Sequence, residues 1–192
     1  MHKLTFIGGG NMATSIIAGL LANGTQAADI EAIDPSQEAA TRLSERLGVR
    51  VWPALDAAAL HEVVVLAVKP QQLLAVARKF SGRLGGQLVV SIAAGVRVAD
   101  LSRWLGGHGR IVRAMPNTPA MVGAGVTGLF APPAVGADER SVAERILRAV
   151  GSVAWLQAES ELDWVTAVSG SGPAYVFYFI EALEEAARAA GL

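Results

Sequence analysis

Short apolar runs alternate with stretches of helical periodicity from Lys3 to about Gln157, and that alternation predicts parallel strands joined by crossover helices. Strands are expected over residues 4–7, 30–33, 49–52, 63–68, 88–92 and 111–114. The fourth is an almost unbroken apolar run, as a central strand covered by helices on both faces requires. Between them, a helix over residues 36–47 closes at Gly48, and a short helix capped by Asp100 runs to Leu105 ahead of Gly106-Gly107. A further helix is expected from Asp138 to Val150, halted by Gly151, with a last strand over 153–156. From Ser160 the pattern is helical, breaks over 170–173 and resumes over 174–190. Glu181, Glu184, Glu185 and Arg188 give that last helix a polar side, whereas Tyr175, Val176, Phe177, Tyr178, Phe179 and Ile180 leave its start apolar all round. Such a surface needs partner helices, from a second subunit or from a longer natural chain. The expected architecture is an α/β, Rossmann-type doubly wound parallel sheet over residues 1–158, followed over 159–192 by the beginning of an all-α domain.

Composition sharpens this picture mainly by exclusion. Hydrophobic residues make up 52% of the 192 positions and charged residues 17%, a balance that leaves part of the surface to be covered by another body. Sixteen basic against seventeen acidic residues, with no run of like charge, argue against nucleic acid as a partner. The absence of cysteine, together with three scattered histidines, removes thiol chemistry, disulfides and a metal site, and is compatible with a reducing cytoplasm. Residues 120–137 and 164–180 lack charges over nearly a membrane-spanning length. Pro132-Pro133 interrupts the first, and the segment from Ser169 to Pro173 the second, so no membrane span is expected. Gly8-Gly9-Gly10-Asn11 likewise cuts short the apolar stretch after Lys3 that could imitate a secretion signal.

Chemistry enters with the first strand. Gly8, Gly10 and Ala13 have the G-x-G-x-x-A spacing directly after a strand and at the start of a helix, the arrangement that cradles a dinucleotide pyrophosphate. Asp34 ends the second strand, where an acidic side chain accepts hydrogen bonds from the adenosine ribose; the other reading is a turn residue ahead of Pro35. Read as a ribose ligand, Asp34 favours NADH, because a 2′-phosphate would meet like charge and no arginine occurs in the next seven positions. Ser36 could still hydrogen-bond a phosphate. Ala67, Val68, Lys69 and Pro70 close the fourth strand at the ligand-binding edge of such sheets, with Lys69 either a phosphate or substrate contact or a solvated loop lysine. Ala93 and Ala94 end the fifth strand and are small enough to admit a flat nicotinamide ring.

The chain closely resembles the pyrroline-5-carboxylate reductase family in segments spread along nearly its whole length. These are the run from Phe6 to Met12, Ala67-Val68-Lys69-Pro70, Ser91-Ile92-Ala93-Ala94-Gly95, the run from Arg113 to Pro119 containing Met115-Pro116-Asn117-Thr118-Pro119, and the run from Ala167 to Tyr175. The resemblance implies reduction of 1-pyrroline-5-carboxylate to L-proline by hydride transfer from NADPH or NADH, on a Rossmann domain joined to a helical dimerisation domain. It implies a homodimer or higher homo-oligomer. It also implies cofactor contacts from Ile7, Gly8, Gly9, Gly10, Asn11, Met12, Ala67, Val68, Lys69 and Pro70, with Ala93 and Ala94 beside the nicotinamide. Asn117 is expected either to fix the loop at the substrate or to satisfy local turn backbone. Glu159 either reaches cofactor or substrate or is an exposed helix-start glutamate, and Ser171, Gly172 and Pro173 either face the substrate carboxylate or form a hinge. No catalytic acid or base is assigned, because a protonated cyclic imine already has an electrophilic carbon and mainly needs positioning.

Two departures stand out: Ala54 replaces an asparagine common near the adenine, and Asp34 occupies a position that often carries serine. Family members also continue past position 192 with further helices and a loop over the substrate, so an inactive truncated reductase is an alternative. So is a non-catalytic dinucleotide-binding module on the same fold. A hydroxyacid dehydrogenase or a deazaflavin-linked NADP reductase would share the glycine turn but not both later segments.

Overall fold

The computed structural model describes residues 2–55 and 58–192. Six short strands, β1 (Leu4–Ile7), β2 (Ile30–Ile33), β3 (Arg50–Trp52), β4 (Val63–Leu66), β5 (Leu88–Ser91) and β6 (Ile111–Met115), pair in parallel. β7 (Gly125–Phe130) then returns antiparallel to β6, and β8 (Gly151–Trp155) runs parallel to β7. The sheet order is β3-β2-β1-β4-β5-β6-β7-β8. The sequence pattern places the six parallel strands and the last one to within two residues at each end. β7 was not anticipated: in Gly125-Val126-Thr127-Gly128-Leu129-Phe130 the glycines and threonine dilute the apolar signal. Pairing with β6 and β8 on its two edges nevertheless buries four of the six residues.

The helices are α1 (Asn11–Ala22), α2 (Gln37–Leu47), α3 (Pro70–Phe80), α4 (Val98–Trp104), α5 (Ala137–Arg148), α6 (Glu161–Val165) and α7 (Gly172–Ala189). α2 begins and ends as its sequence dictates, with the Ser36 hydroxyl accepting the Ala39 N–H and Gly48 left-handed at the C-cap. Asp100 does not cap α4. Arg97 occupies the cap position, the Val98 N–H is taken instead by the distant Glu159 carboxylate at 2.7 Å, and Asp100 sits inside the first turn paired with Arg103. α5 starts one residue before Asp138, behind Gly136, whose N–H donates to Glu139 at 3.0 Å.

The expected break over 170–173 also takes a different form. A π-helical turn over Thr166–Gly170 follows α6, Ser171 stays in right-handed helical geometry, and α7 begins at Gly172. Pro173 is accommodated because the first turn of a helix has no acceptor for its missing N–H.

Two apolar layers sandwich the sheet. Ile16, Ile17, Leu20, Leu43, Ile146 and Leu147 from α1, α2 and α5 cover one face, while Leu73, Ala77, Phe80 and Leu101 from α3 and α4 cover the other. Each large side chain buried there stabilises the fold by about 1.5–3 kcal/mol relative to exposure. α7 stands outside both layers: none of its residues is buried, and Tyr175 to Ile180 and Leu183 are exposed. Among the described residues no helix is long and apolar enough to cross a membrane.

α1 approaches the α5–β8 connection so closely that a Cβ on Gly19 would collide with the Ala149 carbonyl, a backbone atom that cannot rotate away. Gly19→Ala is therefore expected to destabilise the fold by about 2 kcal/mol despite alanine's better helix propensity. Urea denaturation measures the loss; a stabilised variant would contradict this packing.

Candidate functional site

Strand register assembles the site. Ile7 lies level with Ile33 on one side and Leu66 on the other, Leu66 with Ser91, and Ser91 with Arg113. The residues following β1, β2, β4 and β5 therefore emerge along one carboxyl edge, the edge at which open α/β sheets bind ligands. Backbone hydrogen bonds extend the ladder into these loops: Gly8 N–H donates to Ile33 O at 2.9 Å, Ala67 N–H to Ile7 O at 2.8 Å, and Ile92 N–H to Leu66 O at 3.1 Å.

Gly8 adopts φ +99°, and a Cβ there would lie 2.8 Å from the Ala67 carbonyl oxygen, so the turn after β1 and the turn after β4 meet where only glycine fits. Gly10 is the N-cap of α1 and provides no side-chain cap, and the first turn of α1 holds no acidic residue. The N–H groups of Asn11, Met12 and Ala13 precede the first intrahelical bond, from Thr14 N–H to Gly10 O, and so have no acceptor within the helix. A Cβ on Gly10 would meet nothing within 4 Å. An uncapped helix start with open space before it fits a pyrophosphate. Ala13 is fully buried against the core.

Asp34 turns inward. Its Oδ2 accepts the Gly9 N–H at 2.7 Å and its Oδ1 the Ser36 N–H at 2.8 Å, which combines the turn role with a grip on the glycine loop. On the other side of the same residue, Arg42 Nη2 donates to Gly9 O at 2.8 Å and Nε to Thr14 Oγ1 at 3.3 Å. Arg42 stands eight positions after Asp34, too far along the chain to read as its neighbour; the first six residues of α2 bring it back to the glycine turn.

Lys69 is exposed at the cap of α3, where Pro70 takes the first turn. Ala93 is buried and Ala94 half-buried beyond β5. Asn117 joins three elements, with Nδ2 donating to Ser169 Oγ in the π-helical turn at 3.1 Å and Oδ1 accepting the Val126 N–H of β7 at 2.9 Å. Glu159 Oε1 accepts from Arg113 Nη1 and from the Val98 N–H, each at 2.7 Å. Arg113, buried to 5% exposure on β6, was the second residue missed; an arginine inside an apolar strand signals a buried acidic partner. Ser171, Gly172 and Pro173 lie just beyond Ser169, and Ser171 Oγ donates to Thr166 O at 3.0 Å. The glycine turn, Asp34, Ser36 and Ala67–Val68 thus converge directly, while Asn117, Glu159 and Ser171 engage the connections between the sheet and the last helices. An apolar cavity lined by Leu4, Leu20, Thr25, Val142 and Ile146 contains none of these residues.

Comparison with known proteins gives this geometry a lineage. Residues 3–95 match the family described as NADP oxidoreductase, coenzyme F420-dependent, and residues 159–192 match the pyrroline-5-carboxylate reductase dimerisation family. Over 192 residues the chain is 45% identical to a pyrroline-5-carboxylate reductase of Pseudomonas aeruginosa, covering 99% of this chain and 70% of that protein. The chain belongs to the pyrroline-5-carboxylate reductase family. Two solved members of the family overlay all of it. One, from Coxiella burnetii, has TM-score 0.90 and 45% identity over 72% of its own chain; the other, from Plasmodium falciparum with NADP bound, has TM-score 0.87 and 29% identity over 71%. A prephenate dehydrogenase of Aquifex aeolicus, 18% identical with TM-score 0.73, shares the fold alone. The fold alone is shared more widely; the 45% identity over nearly the whole chain and the dimerisation-family match over residues 159–192 are what separate this chain from the deazaflavin-linked and hydroxyacid-oxidising alternatives.

Removing the Glu159 carboxylate leaves the Arg113 charge buried and unpaired. Glu159→Ala is expected to destabilise the protein by about 3 kcal/mol, the lower end for a broken buried pair because Glu159 is partly exposed. Equilibrium unfolding reads this directly, and a cost below about 1 kcal/mol, the range of surface pairs, would show that the pair is not structural.

Proposed function

We propose that the protein reduces 1-pyrroline-5-carboxylate to L-proline with a hydride from NAD(P)H. The observation that carries this reading is the uncapped start of α1 behind Gly8-Gly9-Gly10, open in front of Gly10, in a chain of this family. The N–H groups of Asn11 and Met12 hold the pyrophosphate, Ser36 and Asp34 border the adenosine ribose, and Ala67 to Pro70 wall the nucleotide on its other side. Ala93 and Ala94 leave room for the nicotinamide ring, which supplies the hydride when bound. The ring carbon of the protonated C=N takes that hydride and the nitrogen keeps its proton, so the chain has to hold and orient two reactants and needs no nucleophile of its own.

Residues 1–158 act as the cofactor-binding unit and 159–192 as the start of the substrate and dimerisation unit. The exposed apolar start of α7 and the dimerisation-family match support a homo-oligomer, taken here as a homodimer or a larger assembly. Asn117, Glu159 and Ser171 to Pro173 set the loops against which the imine carboxylate is held. The reaction is placed in the cytoplasm, where reduced nicotinamide cofactors and a cysteine-free chain are both at home.

The test is NAD(P)H oxidation at pyrroline-5-carboxylate expense by the full-length protein, alongside Gly10→Val. A Cβ at position 10 meets no protein atom within 4 Å, so the valine should cost the fold no more than a poorer N-cap residue does, about 1 kcal/mol, yet it intrudes on the space before α1; kcat/KM should fall at least about a hundredfold. Cofactor binding by the wild type without imine reduction would favour a non-catalytic binding module. Full activity in Gly10→Val would remove the pyrophosphate from this turn.

A further inference from the structure

An acidic residue at the end of β2 read alone predicts a preference for the unphosphorylated ribose, and the folded chain undoes that argument on both of its counts. First, the carboxylate is pinned to the turn: each Asp34 oxygen accepts a backbone N–H, from Gly9 at 2.7 Å and from Ser36 at 2.8 Å, which takes two of its roughly four acceptor sites. Second, a cation is present after all. Arg42 Nη2 lies 2.8 Å from Gly9 O, so only the backbone of Gly9 separates the guanidinium from the Asp34 carboxylate. The two opposite charges flank one residue of the glycine turn, and a cation stands where the sequence after Asp34 suggests only negative charge.

We propose that Arg42 is the residue with which this site accepts the 2′-phosphate of NADP(H), while Asp34 serves the glycine turn in place of a ribose diol. The proposal deepens the reductase reading and rests on its dinucleotide site. A guanidinium has five N–H donors, and the contacts to Gly9, Thr14 and Glu38 engage three of them. Glu38, its carboxylate contact, is held at 3.4 Å and is 88% exposed, a loose surface pair that a doubly charged phosphate displaces. Ser36 adds to the site: its oxygen accepts the Ala39 N–H at the start of α2, and its hydroxyl proton remains to be donated. The Arg42 side chain keeps 23% of its surface exposed, so it is both braced and reachable.

NADP+ and NAD+ differ only in the 2′-phosphate, so the ratio of their dissociation constants, measured by calorimetry on the full-length protein, isolates this contact. The ratio also cancels any damage to the glycine turn that both nucleotides feel. Arg42→Met is expected to cut the preference for NADP+ at least about tenfold, the scale of one charge-assisted hydrogen bond. Glu38→Gln, a surface change that frees Arg42 and removes a competing carboxylate, should raise the preference about twofold. A ratio unchanged within about twofold in Arg42→Met, even with both affinities lowered, would reduce Arg42 to a brace for Gly9 and overturn the proposal while the reductase reading stands. If the wild type binds neither nucleotide, the dinucleotide site itself fails, and the proposal with it.

Discussion

Both backbone polar groups of Gly9 are held from outside the turn: its N–H by the Asp34 carboxylate at the end of β2, its carbonyl oxygen by the Arg42 guanidinium on α2. These bonds tie the first β-α-β unit together at the point where α1 must start. A glycine-rich turn is otherwise the least constrained stretch of the chain, and fixing it costs more backbone entropy than fixing any other sequence would. Charge-assisted bonds on both sides offset that cost and fix where the N–H groups of Asn11 and Met12 stand. The remainder of the candidate site is then set by register, because the parallel pairing of β1, β4, β5 and β6 delivers Ala67, Ala93 and Met115 to the same edge.

A second brace works between the sheet and the helices that follow it. Glu159 accepts from Arg113 on β6 and from the first N–H of α4, and Asn117 spans from β7 to the π-helical turn. Polar bonds at these crossings specify geometry that apolar contact alone would leave adjustable. Beyond them the apolar sandwich ends and α7 projects an uncovered apolar face of the kind that partner helices cover.

Most of the sheet was legible because a strand buried on both faces must be apolar along its length, as residues 63–66 are. Helix ends were legible where the signal is local, as with Ser36 and Gly48, and illegible where a distant group intervenes. Asp100 has the chemistry of a cap, yet the Val98 N–H is claimed by Glu159, 61 residues further along. β7 was hidden because its burial comes from two neighbouring strands and hardly from its own side chains. In the candidate site, the glycine spacing exposed the turn directly. The turn role of Asp34 ahead of Pro35 was legible, whereas its grip on the Gly9 N–H was not, because that contact joins positions 25 residues apart. Arg42 and Arg113 act through contacts distant in sequence; an arginine within an apolar strand marks Arg113 locally but does not name its partner, and nothing local marks Arg42.

The central claim is that the start of α1, held by the braced Gly9, receives the cofactor pyrophosphate. A crystal structure of the protein with NADP(H) bound tests it most directly. Pyrophosphate oxygens within hydrogen-bonding distance of the Asn11 and Met12 N–H groups, with Gly9 still gripped by Asp34, are the predicted result. A nucleotide seated away from this turn, or a turn that releases Asp34 to bind the ribose hydroxyls, would contradict it.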